Sequence, residues 1–396
     1  MSLITLDDLD PSHLAGRRVF VRVDFNVPLD GGRVLDANRL EQSLPTVREL
    51  LGHGARLVLA SHCGRPKGQP NPAYSLRPVA DAFAALLGQP VAFADDCVGP
   101  DATAAVEGLG DGQVVLLENL RFHAGETAND PAFADALASL ADVFVGDAFG
   151  TAHRAHASVV GVAERLGTKA AGRLLAREVE ALGGLLGEPA RPFAAILGGA
   201  KIGGKIETLE NLLPRLDTLM LGGGMANTFL AAQGHDLANS LVEHDRLDLA
   251  REILRRAEKA GTRVLLPSDL VVTDDLGAPT RIESVAPGAI PPGTLAVDVG
   301  EATRAAYGDA CGQAGTLFWN GPLGVFEKPP FDAGTRTLAA GLADVDGFTV
   351  VGGGETVAAV AEVTDRLGHV STGGGASLEL LAGKTLPGVA ALEATP

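Results

Sequence analysis

The feature that most constrains this chain is the recurrence of short apolar or β-branched runs with helix-length stretches between them. Alternating βα units of this kind wind into parallel sheets. The runs lie at residues 18–26, 56–62, 91–96, 114–119, 143–149, 193–199, 218–224, 263–269, 294–300, 316–322, 349–355 and 369–375. We therefore predict an α/β fold with two doubly wound, Rossmann-like parallel-sheet domains that form a hinged cleft.

A single helix is predicted to connect the two domains. Within residues 171–187 the apolar side chains recur at helical spacing, which gives the helix one apolar face. We predict a first domain at 1–170, this interdomain helix, a second domain at 188–378 and a C-terminal tail at 379–396. The length of 396 residues suits two domains, because a domain typically has about 100–200 residues.

Charge and cysteine usage exclude several classes of partner. The formal net charge is −17 and neither half is basic, whereas nucleic acids and anionic membranes require a positive field. Cys63, Cys97 and Cys311 lie far apart without metal-ligand spacing, and we expect neither a disulfide nor a zinc site. The N-terminus has no signal-peptide pattern and no run reaches the roughly 18 apolar residues of a membrane helix. We expect a cytoplasmic protein with no nucleic-acid or membrane partner.

The two halves differ at the ends of their strands, where parallel sheets bind ligands. The first-half strands end in side chains that can hold a small anion: Asp24, Asn26, His62, Arg65 and Arg121. The second-half strands end in glycines at 198–199, 222–224, 352–354 and 373–375. Glycine lets the backbone approach a phosphate, although each cluster alone also fits a tight strand-to-helix turn. Together they favour a nucleotide.

Residues 199–205 match GxxxxGK, the opening of a phosphate-binding P-loop. The next residue is Ile206, which cannot supply the hydroxyl that a P-loop uses to bind magnesium, and a P-loop ATPase is therefore rejected. Lys201 and Lys205 could both face one phosphate chain, or they could belong to a solvated helix face.

The first half also contains a set of arginines. Guanidinium groups bind phosphate and carboxylate through two hydrogen bonds, and several of them near one sheet edge favour a small, highly charged acid. Each arginine alone would fit a surface ion pair. The set comprises Arg22, Arg39, Arg65, Arg121 and Arg154, flanked by His62, His153 and His156.

Ten stretches of the chain, in order and over nearly its full length, resemble phosphoglycerate kinases. They are VDFNVPL, ANRL, SHCGRP, ENLRF, DAFGTAHRAHAS, LGGAKIGGKI, LGGGMANTFL, WNGPLGVFE, GGGETVAAV and STGGGASLELLAGKTLPG.

The resemblance implies reversible transfer of the acyl phosphate of 1,3-bisphosphoglycerate to Mg-ADP, which gives 3-phosphoglycerate and ATP. It implies that the glycerate ligand is held by Asp24, Asn26, Arg39, His62, Arg65, Arg121 and Arg154. It implies that the nucleotide is held by Lys201, Lys205, Gly222, Gly223, Gly224, Asn320, Glu327, Gly352, Gly353, Gly354, Glu355 and Thr356. A cytoplasmic monomer is also implied, with the C-terminal tail packed on the first domain.

Phosphoryl transfer needs alignment and charge neutralisation more than covalent help. We expect Arg39, Lys201 and the helix N-terminus at Gly375 to surround the transferring group. The acceptor is a carboxylate, already ionised at neutral pH, and no general base is required. The domains are expected to close about the helix at 171–187 before transfer.

Four positions depart from the family pattern. Glu355 stands where aspartate is common, which leaves its predicted contact with Mg²⁺ open. Gly203 and Gly204 replace residues that are more often polar, and Cys63 replaces an aliphatic one. The substitution at 355 leaves one alternative open, a non-catalytic nucleotide-binding protein on the same fold.

Overall fold

The computed structural model describes residues 2–394. The chain divides into two compact units, one that runs to Glu180 and resumes at Thr385, and one that comprises Ala181–Lys384. The division falls within the helix Arg173–Leu186, which occupies the segment where the sequence predicts the interdomain helix.

The first unit is built on one parallel sheet of six strands, in the order β5-β6-β4-β1-β7-β8. A two-stranded antiparallel hairpin, β2–β3, accompanies it. The strands are β1 Arg18–Val23, β2 Leu29–Asp30, β3 Arg33–Val34, β4 Arg56–Ala60, β5 Val91–Ala94, β6 Val114–Leu117, β7 Val143–Asp147 and β8 Thr168–Ala171.

Helices cover the faces of this sheet. Leu40, Val47 and Leu50 are fully buried on one face of the first helix, as helical periodicity requires. The helices are α1 Asn38–Gly52, α2 Arg77–Leu87, α3 Gly99–Glu107, α4 Ala124–Ala128, α5 Pro131–Ala138, α6 Val162–Arg165, α7 Arg173–Leu186 and, near the C-terminus, Pro387–Ala390.

The second unit contains another six-stranded parallel sheet, in the order β11-β10-β9-β15-β16-β17, and a small antiparallel sheet, β13-β12-β14. Its strands are β9 Phe193–Leu197, β10 Thr218–Leu221, β11 Arg263–Leu265, β12 Leu270–Thr273, β13 Ile282–Val285, β14 Leu295–Val299, β15 Thr316–Asn320, β16 Phe348–Gly352 and β17 His369–Val370. Its helices are α8 Ile206–Leu212, α9 Gly223–Ala232, α10 Leu247–Ala260, α11 Glu301–Gly312, α12 Ala333–Gly341, α13 Gly354–Ala359 and α14 Gly375–Leu381. The C-terminal helix of the first unit, Pro387–Ala390, is α15.

The predicted α/β fold with two parallel sheets is confirmed, and a strand lies in every predicted run. The strands end earlier than predicted, because the polar and glycine residues at the end of each run form loops. One interpretation was wrong: the run at 294–300 lies in the antiparallel sheet as β14. Apolar alternation identifies a strand but does not determine which sheet that strand joins. The sequence pattern also missed β8, β12 and β13, which are four residues long, and the two-residue strands β2 and β3.

Candidate functional site

The first group of predicted residues lies at the carboxyl end of the first sheet. Asp24 follows β1 directly, and His62 comes two residues after β4, the neighbour of β1. Arg121 lies in a short helical turn, Leu120–Phe122, beyond β6, and Arg39 lies in the first turn of α1. Parallel pairing of these strands brings side chains from distant sequence positions to one edge.

Contacts within this group hold it together. An Arg39 guanidinium nitrogen, Nη1, donates to the Asp24 carboxylate. The Asn26 side-chain oxygen accepts a hydrogen bond from the Gly64 N–H at 2.9 Å, and Arg121 Nη1 donates to the Gly64 carbonyl at 2.8 Å. The loop after β4 is therefore tied to the loops after β1 and β6.

His62 is buried and its protonation state follows from its neighbour Arg22. An Arg22 guanidinium nitrogen lies 3.2 Å from His62 Nδ1. A guanidinium can only donate, and Nδ1 must therefore accept, which places the proton of the neutral ring on Nε2. Burial and the surrounding arginines lower the pKa of His62 well below its ordinary value. His62 is thus a neutral side chain with one N–H to offer.

Arg22 itself supports the site from within. Its side chain is 1% exposed, and its Nε donates to the Ser158 hydroxyl at 2.8 Å. The same hydroxyl donates to the buried Glu126 carboxylate at 2.7 Å. Arg22 is therefore a buried residue that supports the site, whereas the sequence pattern grouped it with the arginines expected to bind an acidic ligand. Glu126 and Ser158 were not identified from the sequence as partners of Arg22, because no local sequence pattern links residues that lie more than 100 positions from Arg22.

Positive charge is concentrated around His62. Burial, together with repulsion from Arg154 and Arg22, lowers the pKa of Arg121 to about 10. Each cation in such a cluster is stabilised when an anion arrives, because the anion offsets both the lost hydration and the repulsion. This electrostatic arrangement favours a highly charged acidic ligand.

Arg65 and Arg154 are less tightly held. Arg65 is exposed, and across residues 2–394 its side chain makes no hydrogen bond or ion pair with the protein. Arg154 is half-buried, and its Nε lies 3.1 Å from the His153 ring. His156 lies 3.6 Å from the Glu126 carboxylate and therefore belongs with the buried support.

Two cavities of about 250 Å³ each lie side by side in the second unit. They share Gly199, Ala200, Pro322 and Glu355. The first is mainly apolar and is lined by residues that include Asn227, Leu241, Leu270, Leu276, Leu295, Val297, Asp298, Leu323 and Glu327. The second is lined by residues that include Lys201, Lys205, Asn320, Gly353, Gly354 and Thr356. An apolar cavity beside a cationic one suits a base and its phosphates.

The two lysines differ in their surroundings. Lys205 is half-buried, and its Nζ donates to the carbonyls of Gly198 at 2.7 Å and Asn320 at 2.8 Å. Burial lowers its pKa to about 8, although the negative charge of Glu355 opposes the shift. Lys201 is exposed on the turn before α8, which begins at Ile206. Both lysines line the second cavity, but they do not share a helix.

The glycines next to the cavities serve close packing. A Cβ on Gly198 would lie 2.1 Å from the Pro322 carbonyl oxygen, and one on Gly223, where φ is +65°, would lie 2.7 Å from the Gly199 oxygen. The N–H groups of Gly222 and Gly223 donate to the carbonyls of Leu197 and Leu323. Those two amides are therefore not available to a phosphate, contrary to the interpretation that all these glycines offer free backbone.

The remaining predicted residues are distributed around these cavities. Thr356 is buried and its hydroxyl accepts the Gly321 N–H at 2.8 Å, which positions the loop after β15. Gly352 ends β16, and Glu355 is exposed in the first turn of α13. Gly375 begins α14 and lines neither cavity. Sequence reasoning missed Asn227, Leu241, Leu276, Leu295 and Asp298 as lining residues, although Asn227 lies within a quoted motif.

Comparison with known proteins decides the family. The family model described as phosphoglycerate kinase matches residues 6–384, nearly the whole chain. The chain belongs to the phosphoglycerate kinase family. Phosphoglycerate kinases of Moorella thermoacetica and Desulforudis audaxviator are each 54% identical to it, over 99% and 98% of both sequences respectively.

Solved phosphoglycerate kinase structures agree in fold. Those from Coxiella burnetii and Pyrococcus horikoshii match with TM-scores of 0.89 and 0.86, at 40% and 31% identity. The matches cover 99% and 98% of both chains. This chain is accordingly a kinase of that family, an enzyme that transfers phosphoryl groups and uses ADP and ATP. Among the described residues, no helix has both the length and the apolar character needed to cross a bilayer.

Proposed function

We propose that this kinase transfers the acyl phosphate of 1,3-bisphosphoglycerate reversibly to Mg-ADP, with 3-phosphoglycerate and ATP as products. The cationic edge of the first sheet is the observation that carries the proposal. The positive charges of Arg39, Arg121 and Arg154 act on the neutral His62 there, and burial adds to the cost of leaving the Arg121 charge without an anion. In the proposed assignment this edge, with Asp24, Asn26 and Arg65, holds the glycerate ligand.

The nucleotide is assigned to the paired cavities of the second unit. Their apolar part would hold the base, and Lys201 and Lys205 would neutralise the phosphates. The acceptor of the reverse reaction is a carboxylate, which needs no proton removed before it attacks. Arg39 and Lys201 would stabilise charge on the transferring phosphoryl group, together with the helix N-terminus at Gly375.

The side chains near the cavities fit a magnesium ion. Mg²⁺ prefers oxygen donors and typically takes one or two carboxylates together with phosphates and water. The exposed carboxylate of Glu355 lines both cavities. Asp298 is less suitable, because its two oxygens accept the N–H groups of Val299 and Gly334. We assign Mg²⁺ to Glu355 and the nucleotide phosphates, where it would neutralise phosphate charge.

A coupled assay tests the proposal. With ATP and Mg²⁺ present, ADP should form only when 3-phosphoglycerate is added, and 2-phosphoglycerate provides the matched control. Formation of ADP at the same rate without 3-phosphoglycerate would contradict the assigned acceptor. A protein that binds ATP but forms no ADP under either condition would instead be the non-catalytic nucleotide-binding alternative. We further propose that the protein is cytoplasmic and monomeric, and a sedimentation measurement of the mass would test the monomeric state.

A further inference from the structure

A cluster of three side chains outside the proposed substrate and nucleotide sites lies at the edge of the first sheet. Asp96 and Cys97 follow β5, and His123 precedes α4, on the chain that leaves β6. The two strands pair in parallel from Val91 to Ala94, and their outgoing loops therefore lie side by side.

The three side chains present one ligand atom each to a common point. The Asp96 oxygen, the Cys97 sulfur and the His123 nitrogen all lie within 4.8 Å of one another. Asp96 Oδ1 and His123 Nε2 are 2.6 Å apart. Ligand atoms in a tetrahedral zinc site are separated by about 3.3–3.8 Å, given metal–ligand distances of about 2.0–2.3 Å. To hold an ion, Asp96 Oδ1, which also accepts the Cys97 N–H at 2.6 Å, and His123 Nε2 must therefore move apart by about 0.7 Å.

Contrary to the expectation drawn from cysteine spacing alone, the geometry points to a binding site for a borderline-soft divalent metal ion, of which Zn²⁺ is the prototype, formed by Asp96, Cys97 and His123. The donor set decides the class of ion, because thiolate and imidazole favour zinc over magnesium and calcium. A water molecule would complete four-coordination.

Access and rigidity are consistent with such a site. The side chains of Asp96 and His123 are 42% and 34% exposed, and an ion can reach them from solvent, whereas Cys97 lies fully buried beneath. The His123 ring stacks on Phe133, with ring centroids 5.2 Å apart, which restricts its orientation. Burial raises the pKa of the Cys97 thiol, and a bound ion must therefore displace the thiol proton to solvent as the metal–sulfur bond forms.

Cobalt titration of the metal-free full chain tests the inference. Co²⁺ bound to a thiolate gives a sulfur-to-cobalt charge-transfer band in the near ultraviolet, which carboxylate or phosphate sites do not give. We expect this band to saturate at one Co²⁺ per chain and to disappear when Zn²⁺ is added, but to persist when excess Mg²⁺ is added.

Three variants assign the band. Cys97→Ser should abolish it, whereas Cys63→Ser and Cys311→Ser, which change the other two buried thiols, should leave it unchanged. His123→Asn should weaken Zn²⁺ binding by about 100-fold or more, since loss of a direct ligand exceeds the 10–100-fold cost of losing an outer partner.

The inference is overturned if the wild-type chain shows no charge-transfer band. It is also overturned if Cys97→Ser keeps the band. A third contrary result would be half-saturation only at about 1 mM Co²⁺, because a dissociation constant that high means weak binding. In those cases the cluster is an Asp–His hydrogen bond beside a buried thiol. The wild-type titration is decisive even if a variant fails to fold.

Discussion

At the scale of single residues, Arg39 connects the first sheet to the proposed chemistry. Its side chain is 36% exposed, and it contacts Asp24, whose carboxylate is 9% exposed. The guanidinium is thus anchored at one end and still reachable by a ligand. Sequence motifs nominated Arg39 for the proposed site, whereas its contact with Asp24 is seen only in the fold.

Arg39→Ala should lower kcat by about 10³- to 10⁵-fold, because arginines that stabilise the transferring phosphoryl group contribute that much in GTPases. Steady-state kinetics in the ATP-consuming direction measures the effect. Arg48→Ala, on the exposed side of the same helix, is the control and should keep wild-type turnover. Near-normal turnover of Arg39→Ala would show that Arg39 has only a structural role.

His62 provides a second prediction at this scale. Because Arg22 donates to Nδ1, the wild-type ring should carry its proton on Nε2, which ¹⁵N chemical shifts measured at neutral pH would reveal. Arg22→Met removes the donor, and the KM for 3-phosphoglycerate should then rise about tenfold while kcat changes less, as expected for loss of an oriented hydrogen bond to a charged ligand. A proton found on Nδ1 of the wild-type ring would refute the assignment.

At the scale of elements, the helix α7 depends on one buried carboxylate. Asp147, at the end of β7, accepts the N–H groups of Leu174 at 2.9 Å and Leu175 at 3.2 Å, in the first turn of the helix. Burial raises the pKa of Asp147 to about 7, although these bonds and one from Thr46 oppose the shift. A Cβ on Gly172 would lie 2.4 Å from the Asp147 oxygen, and glycine is therefore required beside this contact.

The raised pKa predicts a pH dependence of stability. Between about pH 4 and pH 7 the folded chain keeps a proton on Asp147 that the unfolded chain has released, and the free energy of unfolding therefore falls as pH rises. Asp147→Asn cannot release a proton and should lose this decrease, while its amide oxygen still accepts the helix N–H groups. Urea unfolding at pH 5 and pH 7.5 measures the difference.

Asp135→Asn is the matched control, because that carboxylate is 69% exposed. It should follow the wild-type pH dependence. If Asp147→Asn also followed the wild-type curve, Asp147 would be excluded as the group responsible.

At the scale of the whole molecule, the proposed ligands are assigned to different units. Direct transfer requires the glycerate carboxylate and the nucleotide to share one phosphoryl group. The radius of gyration should therefore decrease when 3-phosphoglycerate and a non-hydrolysable Mg-ATP analogue are both bound. X-ray scattering measures it, and glycerol 3-phosphate, which lacks the carboxylate, is the control ligand. An unchanged radius with both ligands bound would argue against closure.

Much of this protein follows from sequence alone. Apolar runs predict every strand of the two parallel sheets except β8, since burial of a strand requires those residues locally. The family motifs likewise indicate the kinase function and nominate Arg39 and Lys205, because short stretches carry them intact, whereas Glu355 is nominated by its position in a motif that usually has aspartate there.

Long-range geometry decided the rest. Hydrogen-bond register placed β14 in the antiparallel sheet, and burial turned Arg22 from a ligand-binding candidate into the group that orients His62. Asp96 and His123 are 27 residues apart and meet only because β5 pairs with β6. The periodicity of apolar residues indicates which face of its own helix or strand a residue occupies. These contacts instead join elements that are distant in sequence, and they become favourable only when folding brings those elements together.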